Sequence, residues 1–204
     1  MAKKKTVDRR LQRTRALLQE AMKSMIVEKG YEAVTVQDII DRANVGRSTF
    51  YAHFADKENL LLSGLEDLRA ALKQHQALAL QTSGEPHERG FGFSLAMLEH
   101  AKGHAPLYRA MVGKKSGGVM LQRLNQMMVD LVRDDLTMLG FKVTPAQRDL
   151  IAQHVAGGFM GVLTWWLDHG VRLSPPEVDV IFRRLVMEGL GAELARQADG
   201  RHRR

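Results

Sequence analysis

The chain has 204 residues, room for one large domain or two small ones, and its 45% hydrophobic content is ample for a core. Lys and Arg number 30 against 23 Asp and Glu, giving a net charge of +7 and a pI near 9.9, a balance that suits a polyanionic partner. Cysteine is absent, which excludes a disulfide framework and thiolate metal sites, and no apolar run follows the basic first residues as it would in a signal peptide. A cytoplasmic protein is therefore expected.

Helix signals dominate, and nothing reads as a strand. The first predicted helix runs from about Asp8 to Lys29, with Leu11, Leu18, Met22 and Met25 on one face and Gly30 as its stop. Over the first fifteen residues, Lys3, Lys4, Lys5, Arg9, Arg10, Arg13 and Arg15 stand against a single Asp8, a density suited to phosphate or minor-groove contact. Thr35 is the predicted N-cap of a second helix, with Asp38 three residues on as a partial capping box. Val36, Ile39, Ile40 and Ala43 form its apolar stripe. Ala43-Asn44-Val45-Gly46 breaks the pattern, Asn and Gly being able to take left-handed backbone. From Arg47 to Phe54 only Phe50 and Phe54 are committed inward, leaving Ser48, Thr49, Tyr51, Ala52 and His53 outside. Asp56 caps a long fourth helix carrying Leu61, Leu65, Leu68 and Leu72, which fades at Thr82-Ser83-Gly84-Glu85-Pro86.

Helices are then expected at about 87–102 and 106–112, with a flexible joint from Gly113 to Gly118. A long helix follows with Met120, Leu124, Met127, Leu131 and Met138 on one side and Gly140 at its end. Thr144-Pro145 opens another, with Pro at the favoured first position, and Ser174-Pro175-Pro176-Glu177 opens a last one towards Gln197. The apolar stretch 150–167 contains Gln153, His154 and several glycines and reads as a buried helix, not a membrane span. The expected fold is all-α, with about nine helices. An N-terminal three-helix helix-turn-helix domain (1–55) is joined by a long helix to a C-terminal bundle (56–204).

A recognition helix packs one face on its own domain and offers polar side chains to base edges from the other. Arg47 to Phe54 has that layout. Ala52, opposite the two phenylalanines, permits close approach to the groove floor. Arg47 is long enough for a bidentate guanine contact, worth ~1–3 kcal/mol of discrimination. Thr35, Tyr51 and Lys57 are placed for phosphates, helped by helix N-termini.

Thr35 to Leu62, with the helix before them, resemble the DNA-binding domain of the TetR family of bacterial transcriptional regulators. The motif rests on T-V-Q-D-I, a small residue before the turn, S-T-F-Y-A-H-F and D-K-E-N-L, and covers about a quarter of the chain. The resemblance implies that Arg47, Ser48, Thr49, Tyr51 and His53 touch bases or nearby phosphates, and that Thr35 and Lys57 touch phosphate. Gly46 departs from the family, which often has Ser there. The resemblance further implies a C-terminal domain that dimerises and binds a small effector, whose arrival weakens DNA binding.

Within that domain the last two predicted helices match the family's dimer interface, where Phe159, Trp165, Trp166, Phe182 and Leu185 are the candidate anchors, with Leu190 beside them and Gly157, Gly158 and Gly161 allowing close approach. Phe91, Met97, Met111, Met127 and Phe159 are candidates for lining an effector cavity, together with Phe93, Met128 and Met138, since methionine adapts to irregular shapes. His100 and His104 have a metal-like i, i+4 spacing, but no third ligand is evident, so no metal and no cofactor are expected. No nucleophile elbow, P-loop, dinucleotide fingerprint or carboxylate pair supports an enzyme. The function expected is a ligand-responsive regulator, most simply a repressor, that binds a palindromic operator in double-stranded DNA as a homodimer. Its two recognition helices then enter successive major grooves about 34–36 Å apart or somewhat wider. A helical module that binds another protein through the same head is the alternative, and a steep salt dependence separates DNA binding from it.

Overall fold

A computed structural model describes residues 2–81, 89–112, 117–170 and 172–201. Nine α-helices and a short 3-10 turn occupy them, with no strand among the described residues. The helices are α1 Ala2–Lys29, α2 Val36–Ala43, α3 Arg47–His53, α4 Lys57–Gln81, α5 Phe93–Gly103, α6 Ala105–Val112, α7 Gly117–Met138, α8 Pro145–Asp168 and α9 Pro175–Arg201. The chain forms two compact units. One comprises 1–70 with 105–122, the other 71–104 with 123–204.

Local signals set most boundaries. No Gly or Pro interrupts 2–29, so α1 begins six residues before the expected Asp8, in a lysine-rich stretch of good helix formers. Gly30, at φ 78° and ψ 153°, ends it where a side chain would be strained. Thr35 and Asp38 form a complete capping box despite Asp standing where Glu or Gln is usual. Asn44 takes the left-handed turn at φ 51° and ψ 51°, whereas Gly46 stays extended at φ −73° and ψ 152°. Only one of the two permissive residues is used that way. Phe54, extended at φ −141°, is the C-cap of α3, so the helix ends at His53. Asp56 caps α4, its Oδ1 accepting the Asn59 N–H at 2.7 Å. A second capping box, Thr144 with Gln147, opens α8 behind Pro145.

The first unit is built on Leu18, Met22, Met25, Ile26, Ile39, Ile40, Phe50, Phe54 and Leu60, all buried. Burying each such side chain contributes roughly 1.5–3 kcal/mol, which outweighs the low intrinsic stability of helices as short as α2 and α3. Leu11, expected on that face, is half exposed instead. The unit also recruits α6, whose Leu107, Ala110 and Met111 pack on the same core.

In the second unit α5 packs on α8 and α9. Phe159 sits between Phe93 and Phe182, in edge contacts at 6.0 and 5.0 Å. Helix α8 is long and apolar enough by composition to cross a bilayer, yet Ala152, Val155, Ala156, Phe159, Leu163, Trp166 and Leu167 are buried inside the protein. It is a core helix. On α7, Met120, Leu124, Met127 and Leu131 are buried as the pattern predicted, but Met138 at the end is exposed.

Candidate nucleic-acid interface

Helix α3 owes its position to its two phenylalanines. Phe50 and Phe54 are buried against α1 and α2, which turns Ser48, Tyr51 and Ala52 outward and leaves Thr49 and His53 half exposed. Tyr51 keeps 49% of its surface exposed while its ring edge rests on Phe50 at 5.3 Å. The Arg47 guanidinium lies 5.8 Å from the centre of that ring, a cation–π contact that holds two long groups together on one exposed face. Arg47 Nη1 also donates to Gln37 Oε1 at 3.4 Å, and Gln37 Nε2 donates to Asp41 at 2.8 Å. A polar chain thus runs from the first turns of α2 to the start of α3. Gln37 is a member of this face that the motif did not single out, and its position one turn from Asp41 was the available signal.

Three other cations of the unit, Lys29, Arg42 and Arg15, are committed elsewhere. Lys29 pairs with Asp38 at 2.6 Å, and this ammonium, with the Thr35 hydroxyl and N–H, holds the Asp38 carboxyl far below the usual carboxylate range. Arg42 makes a two-pronged contact with Glu28, both bonds 2.8 Å, and donates to Ser24, so that α2 is fastened to α1. Arg15 reaches Asp67 at 3.4 Å and lies over the Phe54 ring at 5.6 Å. Among the described residues Arg47 has no carboxylate partner, which leaves its charge available. Arg9, Arg10 and Arg13 are exposed on α1.

Two predicted phosphate contacts are placed differently from the outward-facing set. The Lys57 ammonium donates to the carbonyls of Val34, Tyr31 and Glu32 at 2.9, 3.2 and 3.4 Å and sits 4.5 Å from the centre of the Tyr31 ring. Its three protons close the turn before α2. The Thr35 hydroxyl is engaged with Asp38, donating at 2.6 Å and accepting at 3.2 Å. The free donors at that helix start are the backbone N–H groups of its first turn.

The predicted effector residues divide. Phe91, Phe93, Met97, Met127, Met128 and Phe159 are buried in the second unit, whereas Met111 packs in the first and Met138 faces out. Of the candidate dimer anchors, Phe159, Trp166, Phe182 and Leu190 are buried within the subunit, while Trp165 and Leu185 are 50% and 64% exposed. Trp166 was expected to reach a partner, but its Nε1 donates to the Leu173 carbonyl at 2.8 Å, an intramolecular closure. A groove of about 550 Å³ runs between α8 and α9, lined by Leu150, His154, Gly158, Val162, Phe182 and Leu185 among others. A Cβ added at Gly157, Gly158 or Gly161 would meet nothing within 4 Å. His100 and His104 stack at 4.4 Å, and no group of three or more His, Cys, Asp or Glu is placed to hold a metal among the described residues.

This architecture, a small head displaying α3 and a separate helical unit, defines a helix-turn-helix regulator. Residues 17–63 match the family model described as bacterial regulatory proteins, tetR family, and residues 91–188 match a transcriptional regulator C-terminal region. The chain belongs to the TetR family of bacterial transcriptional regulators. It is a transcriptional regulator with a DNA-binding domain, and not an enzyme. It is 30% identical over 183 residues to the HTH-type transcriptional regulator YxbF of Bacillus subtilis, covering 86% of this chain and 45% of that protein. The chain thus spans less than half the length of that relative. It is 25% identical over 181 residues to the HTH-type transcriptional repressor KstR2 of Mycolicibacterium smegmatis, with 82% and 85% coverage. A crystal structure of a TetR-family regulator from Syntrophomonas wolfei superimposes with a TM-score of 0.70 at 19% identity, covering 86% and 94% of the two chains.

Proposed function

We propose that this regulator is a repressor that binds a palindromic operator as a homodimer and is released by a small-molecule effector held in the second unit. The observation that carries the DNA-binding surface is α3 itself. Two buried phenylalanines orient it, and its Arg47 guanidinium, neutralised by no carboxylate among the described residues, lies over a half-exposed tyrosine. Arg47, Ser48, Thr49, Tyr51 and His53 face the groove, with Gln37 supporting Arg47. Thr35 contributes through the first turn of α2, and Lys57 by shaping the turn that presents it. Exposed Leu150, Trp165, Ile181 and Leu185, with the three open glycines of α8, support dimerisation through α8 and α9. Effector and operator then oppose one another, each weakening the other by the same factor. A cytoplasmic location follows from this function.

Selection of bound DNA from a random pool tests the reading. It should return a two-fold symmetric site, bound with an affinity that falls steeply with salt. Arg47→Ala or Tyr51→Ala should abolish specific binding while sedimentation shows an intact dimer. An unchanged gel shift would refute the assignment of α3.

A further inference from the structure

Asp135 lies on α7 with none of its surface exposed. Its Oδ2 accepts the Phe91 N–H at 2.9 Å and the Gln76 amide lies against the same carboxyl, while among the described residues its buried Oδ1 has no partner in good hydrogen-bond geometry. Buried polar atoms nearly always pair, so an exception calls for a cause such as strain, chemistry or a bound species. The backbone beside it is unusual too. Phe91, wholly buried, sits at φ 59°, in left-handed backbone that aromatic residues rarely adopt. Its ring meets Phe93 edge-on at 6.3 Å, and Phe93 meets Phe159, so the carboxylate's partner continues into an aromatic row. Three residues further on, Ser94 donates to a second buried carboxylate, Asp179, which pairs with Arg183 at 3.7 Å.

The charge here is predominantly acidic. Asp135 faces Asp134 from its own helix, Arg183 from α9, the Gln76 amide from α4 and the Phe91 N–H ahead of α5. Asp179 faces Arg183 and, from α5, Glu99. Lys73 of α4 pairs with Asp134 at 3.0 Å. Four carboxylates therefore stand against Arg183 and Lys73, a setting that favours a cation over a second anion.

We infer that Asp135 is the polar anchor of the effector site, and that the effector is a small, mainly aromatic or apolar molecule carrying a protonated amine. The amine donates to Oδ1, and because Phe91, Phe93 and Phe159 are fully buried in the free chain, the apolar body enters by parting that aromatic row. This assignment rests on the reading of the second unit as an effector domain. Burial pushes Asp135 up to about 7, so near neutral pH the carboxyl is partly protonated in the free protein. An ammonium beside it favours the ionised form, and binding consequently releases a proton.

The test takes the full chain and two probes of one skeleton, phenethylamine and 3-phenylpropionate. Titration calorimetry at pH 7 in two buffers of different ionisation enthalpy reads the proton release, and anisotropy of a labelled operator reads DNA binding. Phenethylamine should bind, release a fraction of a proton, and bind at least about tenfold more weakly to Asp135→Asn. The carboxylate probe should not bind. Proton release is measured on the unaltered chain, so it stands even if the variant folds poorly. Equal or tighter binding of 3-phenylpropionate, proton-neutral amine binding, or no amine binding at millimolar concentration overturns the assignment. Amine binding through Asp135 without operator release upholds the site and removes the effector reading. Operator release by a probe acting equally on Asp135→Asn does the reverse.

Discussion

Asp135 makes stability depend on pH in a direction opposite to that of most carboxylates. Burial in the second unit is the main cause that raises its pKa from 3.8 to about 7, with Asp134 adding to it, while Gln76, the Phe91 N–H and Arg183 act the other way. The folded chain therefore holds this proton to higher pH than the unfolded chain does. The contribution to stability is complete below about pH 4 and is lost as pH rises to about 7. At ~1.4 kcal/mol per pH unit, the whole span of roughly three units amounts to about 4 kcal/mol, and the part between pH 5 and 8 to about 2–3 kcal/mol. For a chain of this size that is a fall of about 5–10 °C in Tm. Asp135→Asn keeps the shape and an oxygen for the Phe91 N–H but has no proton to lose. Urea unfolding of both proteins at fixed concentration, from pH 5 to pH 8, isolates the term because every other titrating group is shared. The variant should gain about 2–3 kcal/mol relative to the parent chain across that window. Curves that stay parallel would show that Asp135 is solvated or paired, and the argument from its burial would fail.

Three further substitutions test particular contacts. Lys57→Met removes charge-assisted bonds to three carbonyls and should destabilise the first unit by about 1.5–3 kcal/mol in urea titrations; a simple phosphate anchor would leave stability unchanged and lower the salt slope of DNA binding by about one. Gly92→Ala places a Cβ 2.3 Å from the Ala79 Cβ and 3.3 Å from the His75 carbonyl, both on α4, and should cost about 1–3 kcal/mol; an unchanged Tm would contradict that close approach. Gly46→Ser places its Cβ in ordinary contact with the Thr49 and Ser48 hydroxyls, 3.7 and 3.9 Å away, at an extended N-cap, where its own hydroxyl can accept an N–H from the first turn of α3. It should stabilise by about 0.5–1 kcal/mol, and a loss of stability would mean the backbone at position 46 differs from that described.

What could be read directly from the residues were features that depend on near neighbours in the chain. The Thr35 cap, the Asn44 turn, the inward Phe50 and Phe54 and the Pro145 start each rest on residues within four positions, and local rules govern them. The partners of Lys57 lie 23–26 positions away and those of Arg42 14–18 away, which no spacing rule encodes. Recruitment of α6 to the first unit is of the same kind. Its Leu107, Ala110 and Met111 form an ordinary apolar face, and only the folded chain shows which core receives it. Met111, whose residue type suggests a pocket shared with the methionines of the other unit, belongs instead to this core.

Trp165 and Trp166 show where periodicity stops being sufficient. Adjacent residues on a helix point about 100° apart, so in an amphipathic helix one of two neighbours faces inward and the other outward. Helix α8 is apolar on most of its circumference, and the pattern therefore cannot say which tryptophan is which. The fold decides through a hydrogen bond. The Trp166 indole donates to the Leu173 carbonyl beyond the end of its own helix and is 1% exposed, whereas Trp165 stacks on His169 and keeps half its surface. A buried indole N–H needs an acceptor, and the turn after α8 supplies one on only one side of the helix. Once Trp166 is fixed there, Trp165 is turned onto the side that carries exposed apolar surface. That face, not the full set of aromatic residues in the last two helices, is the surface a second copy has available to cover.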